Sequence, residues 1–211
     1  MFNKCRGMKI KVDLFVVLML TLFAAPTATN AQTESSQSLE YQIKAAFLYN
    51  FIKFVDWPEE KTADSNEPII IGIIGKDPFG SAFDPIKDDI VKDKKVVIKR
   101  FTGLEELKNS GEEDKSKPHP QVEIIKKCHL LFICNSENKS LKETLNLVQD
   151  HSVLTVADTQ GFLESGGIIN FVMEEKKVRF EINITAAKRA NLKIRSQLLK
   201  LAKRTIEEKD N

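Results

Sequence analysis

The chain has 211 residues, 42% of them hydrophobic, with 32 basic side chains against 30 acidic ones. That balance excludes a strongly basic nucleic-acid binder, and the length suits one domain with a sizeable core rather than two.

The first segment reads as a targeting signal. Lys4, Arg6, Lys9 and Lys11 precede an apolar run from Leu14 to Ala25, and small residues lead on to Thr29–Ala31. This is the grammar of a secretory signal peptide over residues 1–31, cleaved before Gln32, and it implies an exported protein. The apolar run is shorter than the roughly 20 residues a spanning helix needs, and Pro26 ends it. Its four basic residues and one acid (Asp13) leave with the signal, so 28 basic and 29 acidic residues remain, a net charge of −1.

Residues 32–38 read as a flexible lead. "SLEYQIKAAFLYNFIKFVDWP" then reads as a helix capped by Ser38, with Glu40 in its first turn. Ile43, Phe47, Phe51 and Phe54 recur at helical spacing until Pro58 stops the helix. Ile69–Ile74, bounded by Pro68 and Gly75, has the continuous apolar pattern of a strand covered on both faces. "GSAFDPIKDD" reads as a short helix, Val96–Phe101 as a second strand, "TGLEELKN" as a helical turn, and Ser110–Pro120 as a polar loop. Leu130–Ile133 reads as a third strand, "SLKETLNLVQD" as an amphipathic helix, and Val153–Val156 as a fourth strand.

Alternation replaces block patterning at "GGIINFVMEEKKVRFEIN". A turn at "EEKK" sets Phe171 opposite Phe180 and Asn170 opposite Glu181, so that apolar faces match as a hairpin with one buried side requires. With no Gly or Asn in the turn, a four-residue loop is expected. Behind it come a short helix, a stop near Asn191, and a last helix capped by Ser196. The predicted fold is α/β: a single three-layer domain over residues 39–204, with a largely parallel central sheet, helices on both faces and a C-terminal antiparallel hairpin. Residues 205–211 read as a tail.

The stretch "IIIGIIGKDPFGSA" invites comparison with a phosphate-binding loop. Gly75 and Gly80 have the Walker spacing, but Ser81 follows Gly80 directly and the lysine is missing from its place. Asp77 adds negative charge where phosphates would lie, and Pro78 removes an amide donor. His119, His129 and His151 share no metal-binding spacing with one another or with the cysteines, so no metal, cofactor or catalytic set is read. Cys128 and Cys134 flank a strand and stand roughly 20 Å apart along it. A disulfide needs Cα atoms within about 7 Å, so the two do not pair with each other and read as small buried hydrophobes.

Two surfaces remain. Asn170, Arg179, Glu181 and Asn183 share the hairpin's polar face, either as a docking surface or as an Arg179–Glu181 pair with amides tying the hairpin to neighbouring loops. The seven positive charges from Lys188 to Arg204, with no acid among them, suit an acidic partner, anionic lipid or a solvated helix face. An open α/β sheet also takes ligands beyond the carboxyl ends of its strands, where Gly75, Asp77, Gly80, Asp158 and Gly161 are expected.

"LEYQIKAAFLYNFIKFVDWP", "IGIIGKDPFG", "CHLLFIC" and above all "GF–(3)–GG–IINF–(7)–RFEIN", followed by the "LKI–S–LL–LA" ending, resemble the YfiR-like proteins from about Leu39 to Ala202. The resemblance implies a non-enzymatic periplasmic regulator. Such proteins bind the periplasmic domain of an inner-membrane diguanylate cyclase or other signalling protein, such as a sensor kinase, and hold it inactive. They are released by an outer-membrane lipoprotein, so that cytoplasmic cyclic di-GMP rises and biofilm forms. The candidate contacts for such a partner are Trp57, Phe79 and Phe162 beside Asn170, Arg179, Glu181 and Asn183 of the hairpin, and a homodimer is compatible with this reading. The disulfides of characterised relatives have no counterpart, because "IIIGIIG" and "GFLESGGIINF" contain no cysteine. The alternative function is a periplasmic small-ligand sensing module built on the crevice.

Overall fold

The computed structural model describes residues 29–62, 67–109 and 119–207. Residues 1–28 of the expected signal peptide and 110–118 of the polar loop lie outside them. The chain divides between Gln37 and Ser38, and the second unit carries the fold.

No Gly or Pro interrupts Thr29–Phe54, and that whole stretch is helix α1. It takes in residues 32–38, expected as a lead, and runs through Ser38 rather than starting there. The Ser38 hydroxyl accepts a bond from Gln42 Nε2 at 3.4 Å instead. There follow β1 (Val55–Asp56), α2 (Glu59–Thr62), β2 (Ile69–Ile74), β3 (Ile90–Val91), β4 (Lys94–Phe101), α3 (Leu104–Asn109), α4 (Pro120–Lys127) and β5 (Leu130–Ile133). After these come α5 (Leu141–Val148), β6 (Leu154–Ala157), β7 (Ile169–Glu174), β8 (Lys177–Asn183), α6 (Ile184–Arg189), β9 (Lys193–Ile194), α7 (Ser196–Leu199) and β10 (Arg204–Ile206). The expected helix at 80–89 shrinks to a 3-10 turn over Asp84–Ile86, because Asp88 turns the chain out with φ of 70°. Arg195 occupies the cap position expected for Ser196, and β10 draws Thr205 and Ile206 out of the expected tail.

Eight strands form one sheet in the order β10-β8-β7-β6-β5-β2-β4-β3, while β1 and β9 pair separately. From β7 across to β4 every neighbour is parallel; β7–β8 and β3–β4 are the antiparallel hairpins. The apolar block of β2 is split between two cores, as a strand covered on both sides requires. Ile71 and Ile73 pack with Leu48, Phe51 and Ile52 of α1 and with Phe171 and Phe180. Ile74 packs with Leu131, Ile133, Leu107 of α3, Ile125 of α4 and Leu145 of α5. The three layers are therefore α1, sheet, and α3–α5. Cys134 belongs to the first core and Cys128 to the second, both as free thiols.

The hairpin has the expected register, with Phe171 opposite Phe180 and Asn170 opposite Glu181. The expected four-residue loop is corrected. Glu174 still pairs with Lys177, and only Glu175 and Lys176 turn, at φ of 49° and 62°. This is a two-residue type I′ turn without glycine or asparagine. Its twist matches that of the flanking strands, which outweighs a left-handed penalty of about 1–2 kcal/mol per residue. Lys92 and Asp93 repeat the device between β3 and β4, at φ of 51° and 61°.

Candidate functional site

The order of the parallel strands makes β2 special. The chain leaves it for β4 on one side and then crosses back to β5 on the other. Loops leaving the carboxyl ends of β2 and β5 therefore run in opposite directions, which opens a crevice at the reversal, the place where open α/β sheets take ligands. A cleft of about 680 Å³ lies there, lined by Gly75 and Lys76 after β2, Arg100–Gly103 at the end of β4, Glu105 and Glu106 of α3, and Ser136, Glu137, Lys139 and Ser140 after β5.

Glu137 forms its floor. The side chain is buried, and its carboxylate accepts from Leu104 N (2.9 Å), Ser140 Oγ (3.2 Å) and Ser136 Oγ (3.3 Å). Ser136 Oγ in turn accepts from Lys76 N at 2.9 Å, so the two divergent loops are tied together. Gly75 and Gly103 make room for this. A Cβ on Gly75 would stand 2.4 Å from Ser136 Oγ, and one on Gly103 would stand 2.6 Å from Glu137 Oε1. Gly75 also holds φ of +95°, open to glycine alone.

The other expected crevice residues separate around the end of β5. Asp77 accepts from Phe79 N (2.7 Å), closing an Asx turn, and from Arg100 Nε (2.6 Å), whose Nη2 donates to Gly80 O (2.9 Å). These groups are spent on one another and form no phosphate cradle. Asp158, after β6, faces α1 and accepts from Lys44 Nζ (2.6 Å) and Tyr41 OH (2.9 Å). Lys44 is buried and also meets Glu40 at 2.5 Å. Burial and then the Asp158 carboxylate drive the Tyr41 phenol well above its ordinary range. Gly161, at φ of +77°, turns the chain after Thr159. Cys134 lies among these carboxylates; burial first, then Asp77 and Asp158, push its thiol up to about 12.

On the hairpin's polar face, Arg179 is half-exposed and pairs with Glu174 at 3.9 Å, not with Glu181. Glu181, mostly buried, accepts from Arg204 Nη2 at 2.7 Å. Asn183 caps α6 by accepting from Ala186 N and donates to Leu163 O, so it does tie the hairpin to a neighbouring loop. Asn170 is buried, and its Oδ1 has no partner among the described residues. Phe79 and Phe162 are core residues. The basic C-terminal run is largely matched within the fold: Lys188 to Glu207, Arg195 to Asp56, Lys203 to Glu174 and Arg204 to Glu181.

Trp57 covers the opposite, amino end of the central strands β2 and β5. Its Nε1 donates to His129 O at 3.2 Å, and its ring meets the His129 ring edge-on at 5.5 Å. Both line a pocket of about 330 Å³ with Lys92, Lys94, Asp56 and Arg195. His129 Nδ1 accepts from Ile70 N, and Nε2 has no hydrogen-bond partner among the described residues. Burial, reinforced by Lys61 and Lys94, holds the imidazole down at about 4, so it is neutral. Sequence reasoning missed Glu137, Lys44 and His129. The polar break "NSENKS" directly after a buried strand was the available signal for Glu137; the other two had none.

Comparison with known proteins bears on this architecture. No curated protein matches the chain by sequence. A conserved-domain protein from Vibrio cholerae matches in structure with TM-score 0.50 and 12% identity, over 79% of this chain and 60% of that one. An ABC domain from Streptococcus pneumonia, solved in complex with L-Trp, matches with TM-score 0.50 and 10% identity over the same shares. The chain thus spans about three fifths of these proteins, and at such identity the likeness is one of fold. The YfiR/HmsC-like family model matches residues 41–203, from Tyr41 in α1 to Lys203 before β10, with the switch-point cleft and the hairpin inside it. The chain belongs to the YfiR/HmsC-like family, whose members are periplasmic regulators.

Proposed function

We propose that this protein is an exported, non-enzymatic regulator that binds the periplasmic sensor region of an inner-membrane signalling protein and holds it inactive. By family resemblance that protein is a diguanylate cyclase. The observation that carries the reading is the family match over residues 41–203, nearly all of the folded unit. No helix among the described residues is long and apolar enough to cross a membrane.

The docking surface proposed from sequence narrows on physical grounds. Phe79 and Phe162 are buried and offer a partner little surface, whereas Arg179 presents a half-exposed guanidinium, the kind of group enriched at binding hot spots. The test is an affinity pull-down with the purified protein against detergent-solubilised membranes of its own host. Recovery of a membrane protein with a periplasmic sensor and a cytoplasmic cyclase or kinase domain is expected. Arg179→Ala should weaken that capture about tenfold, the effect of losing a hot-spot side chain. A pull-down that recovers no membrane partner would sink the reading and favour a small-ligand sensing module.

A further inference from the structure

The strand at one edge of the sheet is lightly held. β10 is three residues long and pairs with β8 in parallel, setting Arg204 beside Glu181 and Ile206 beside Asn183. The side-chain contacts of β10 and its flanking residues are ion pairs, each with an exposed cation: Lys203 to Glu174, Arg204 to Glu181 and Glu164, and Glu207 to Lys188. Ile206 adds an apolar contact, packing partly buried against the core that holds Phe162 and Leu163. Ion pairs open to solvent contribute little. β10 therefore belongs to the low-stability end of the fold, where local opening occurs. It also lies outside the domain shared with the family, whose match ends at Lys203.

What β10 covers is the outer edge of β8. Asn183 N bonds to Ile168 O on the β7 side, so by the alternation of a strand the N–H and C=O of Ile182 point the other way, toward β10. Phe180 O points there as well and accepts from Lys203 N at 2.8 Å. From this geometry we infer that β10 is a displaceable strap over a docking edge on β8. The edge takes an extended strand of a partner protein, laid parallel to β8, with a basic residue opposite Glu181 and a β-branched apolar residue opposite Asn183. β10 is the template for that chemistry: Arg204 Nη2 donates to Glu181 at 2.7 Å, and Ile206 supplies the apolar contact. In strand addition of this kind main-chain bonds give affinity, and the alternate side chains give specificity. Closed, the strap shields an edge that would otherwise pair indiscriminately.

The experiment is amide hydrogen exchange, read by NMR on the ¹⁵N-labelled protein. Ile182, covered by β10, is expected to exchange at least about tenfold faster than its neighbour Glu181, whose amide faces β7. Arg204→Glu sets a carboxylate against Glu181 and Glu164, so it should speed Ile182 about tenfold again and leave Glu181 unchanged. The peptide AKRTIE, which repeats Ala202–Glu207, is then added to that variant. It should slow Ile182 exchange saturably, and AKETIE, which lacks the matching cation, should bind at least about tenfold more weakly. Ile182 and Glu181 exchanging at one rate, no protection by AKRTIE, or equal protection by the two peptides would each overturn the inference. No membrane protein enters this test, so its failure and the failure of the regulator reading are separate outcomes.

Discussion

His129 shows how burial alone sets a residue's behaviour. Its imidazole is about 96% buried and held near 4, whereas an unfolded histidine titrates near 6.5. Between those values the unfolded chain binds more protons than the folded one, so stability rises with pH across the window. It is fully present above pH 6.5 and lost as pH falls toward 4. The difference corresponds to about 3 kcal/mol. His129→Asn keeps an acceptor where Nδ1 meets Ile70 N and removes the titration. Urea melts at pH 7 and pH 4.5 should therefore show a loss in the native protein that is smaller by about that amount in the variant. Equal losses in the two proteins would place the acid sensitivity elsewhere. The nearby thiols do not share this window: burial raises Cys128 to about 12, and with it the barrier to oxidation through a thiolate.

Among elements, the hairpin separates what a pattern can specify from what it cannot. Period-2 alternation leaves one register that puts Phe171 and Phe180 on the same buried face, so the pairing is legible from the letters alone. The turn is not, because its stability comes from matching strand twist rather than from the residues in it. Glu175 and Lys176 therefore sit left-handed against their own preference. Replacing them with Asn-Gly, the pair best suited to a type I′ turn, should stabilise the protein by about 1–2 kcal/mol, read as a higher urea midpoint with unchanged slope. No gain would mean that the loop in solution is longer than two residues. The candidate site is less legible for a related reason. Sequence reading placed Gly75 at a strand end, and that is where the cleft opens. Glu137 acquires its role only where Gly75, Gly103 and Leu104 converge on it, from segments that lie more than thirty residues away in the chain. Asp77 and Asp158 looked alike in sequence, yet one closes a turn and the other anchors α1.

That anchor is the contact on which the assembly of the folded unit turns. Tyr41 and Lys44 of α1 reach Asp158 at the end of β6 across more than a hundred residues of chain. The apolar face of α1 fixes its position over the sheet, but Leu48, Phe51 and Ile52 could slide along a surface of similar side chains. A buried ammonium between Glu40 and Asp158 cannot slide without leaving a charge unpaired, so the cluster sets the register of α1. Removing Lys44 leaves the Asp158 carboxylate without a cation, and removing the Asp158 charge leaves the buried ammonium with Glu40 alone. Asp158→Asn and Lys44→Met should each cost about 3–5 kcal/mol. The combined Lys44→Met/Asp158→Asn variant should recover part of that loss, because no uncompensated charge remains at either position. Chemical denaturation of the three variants, followed by far-UV circular dichroism, measures the cycle. Single-variant costs below about 1 kcal/mol, the range of exposed ion pairs, would mean that solvent reaches the cluster and that packing alone holds α1 in place.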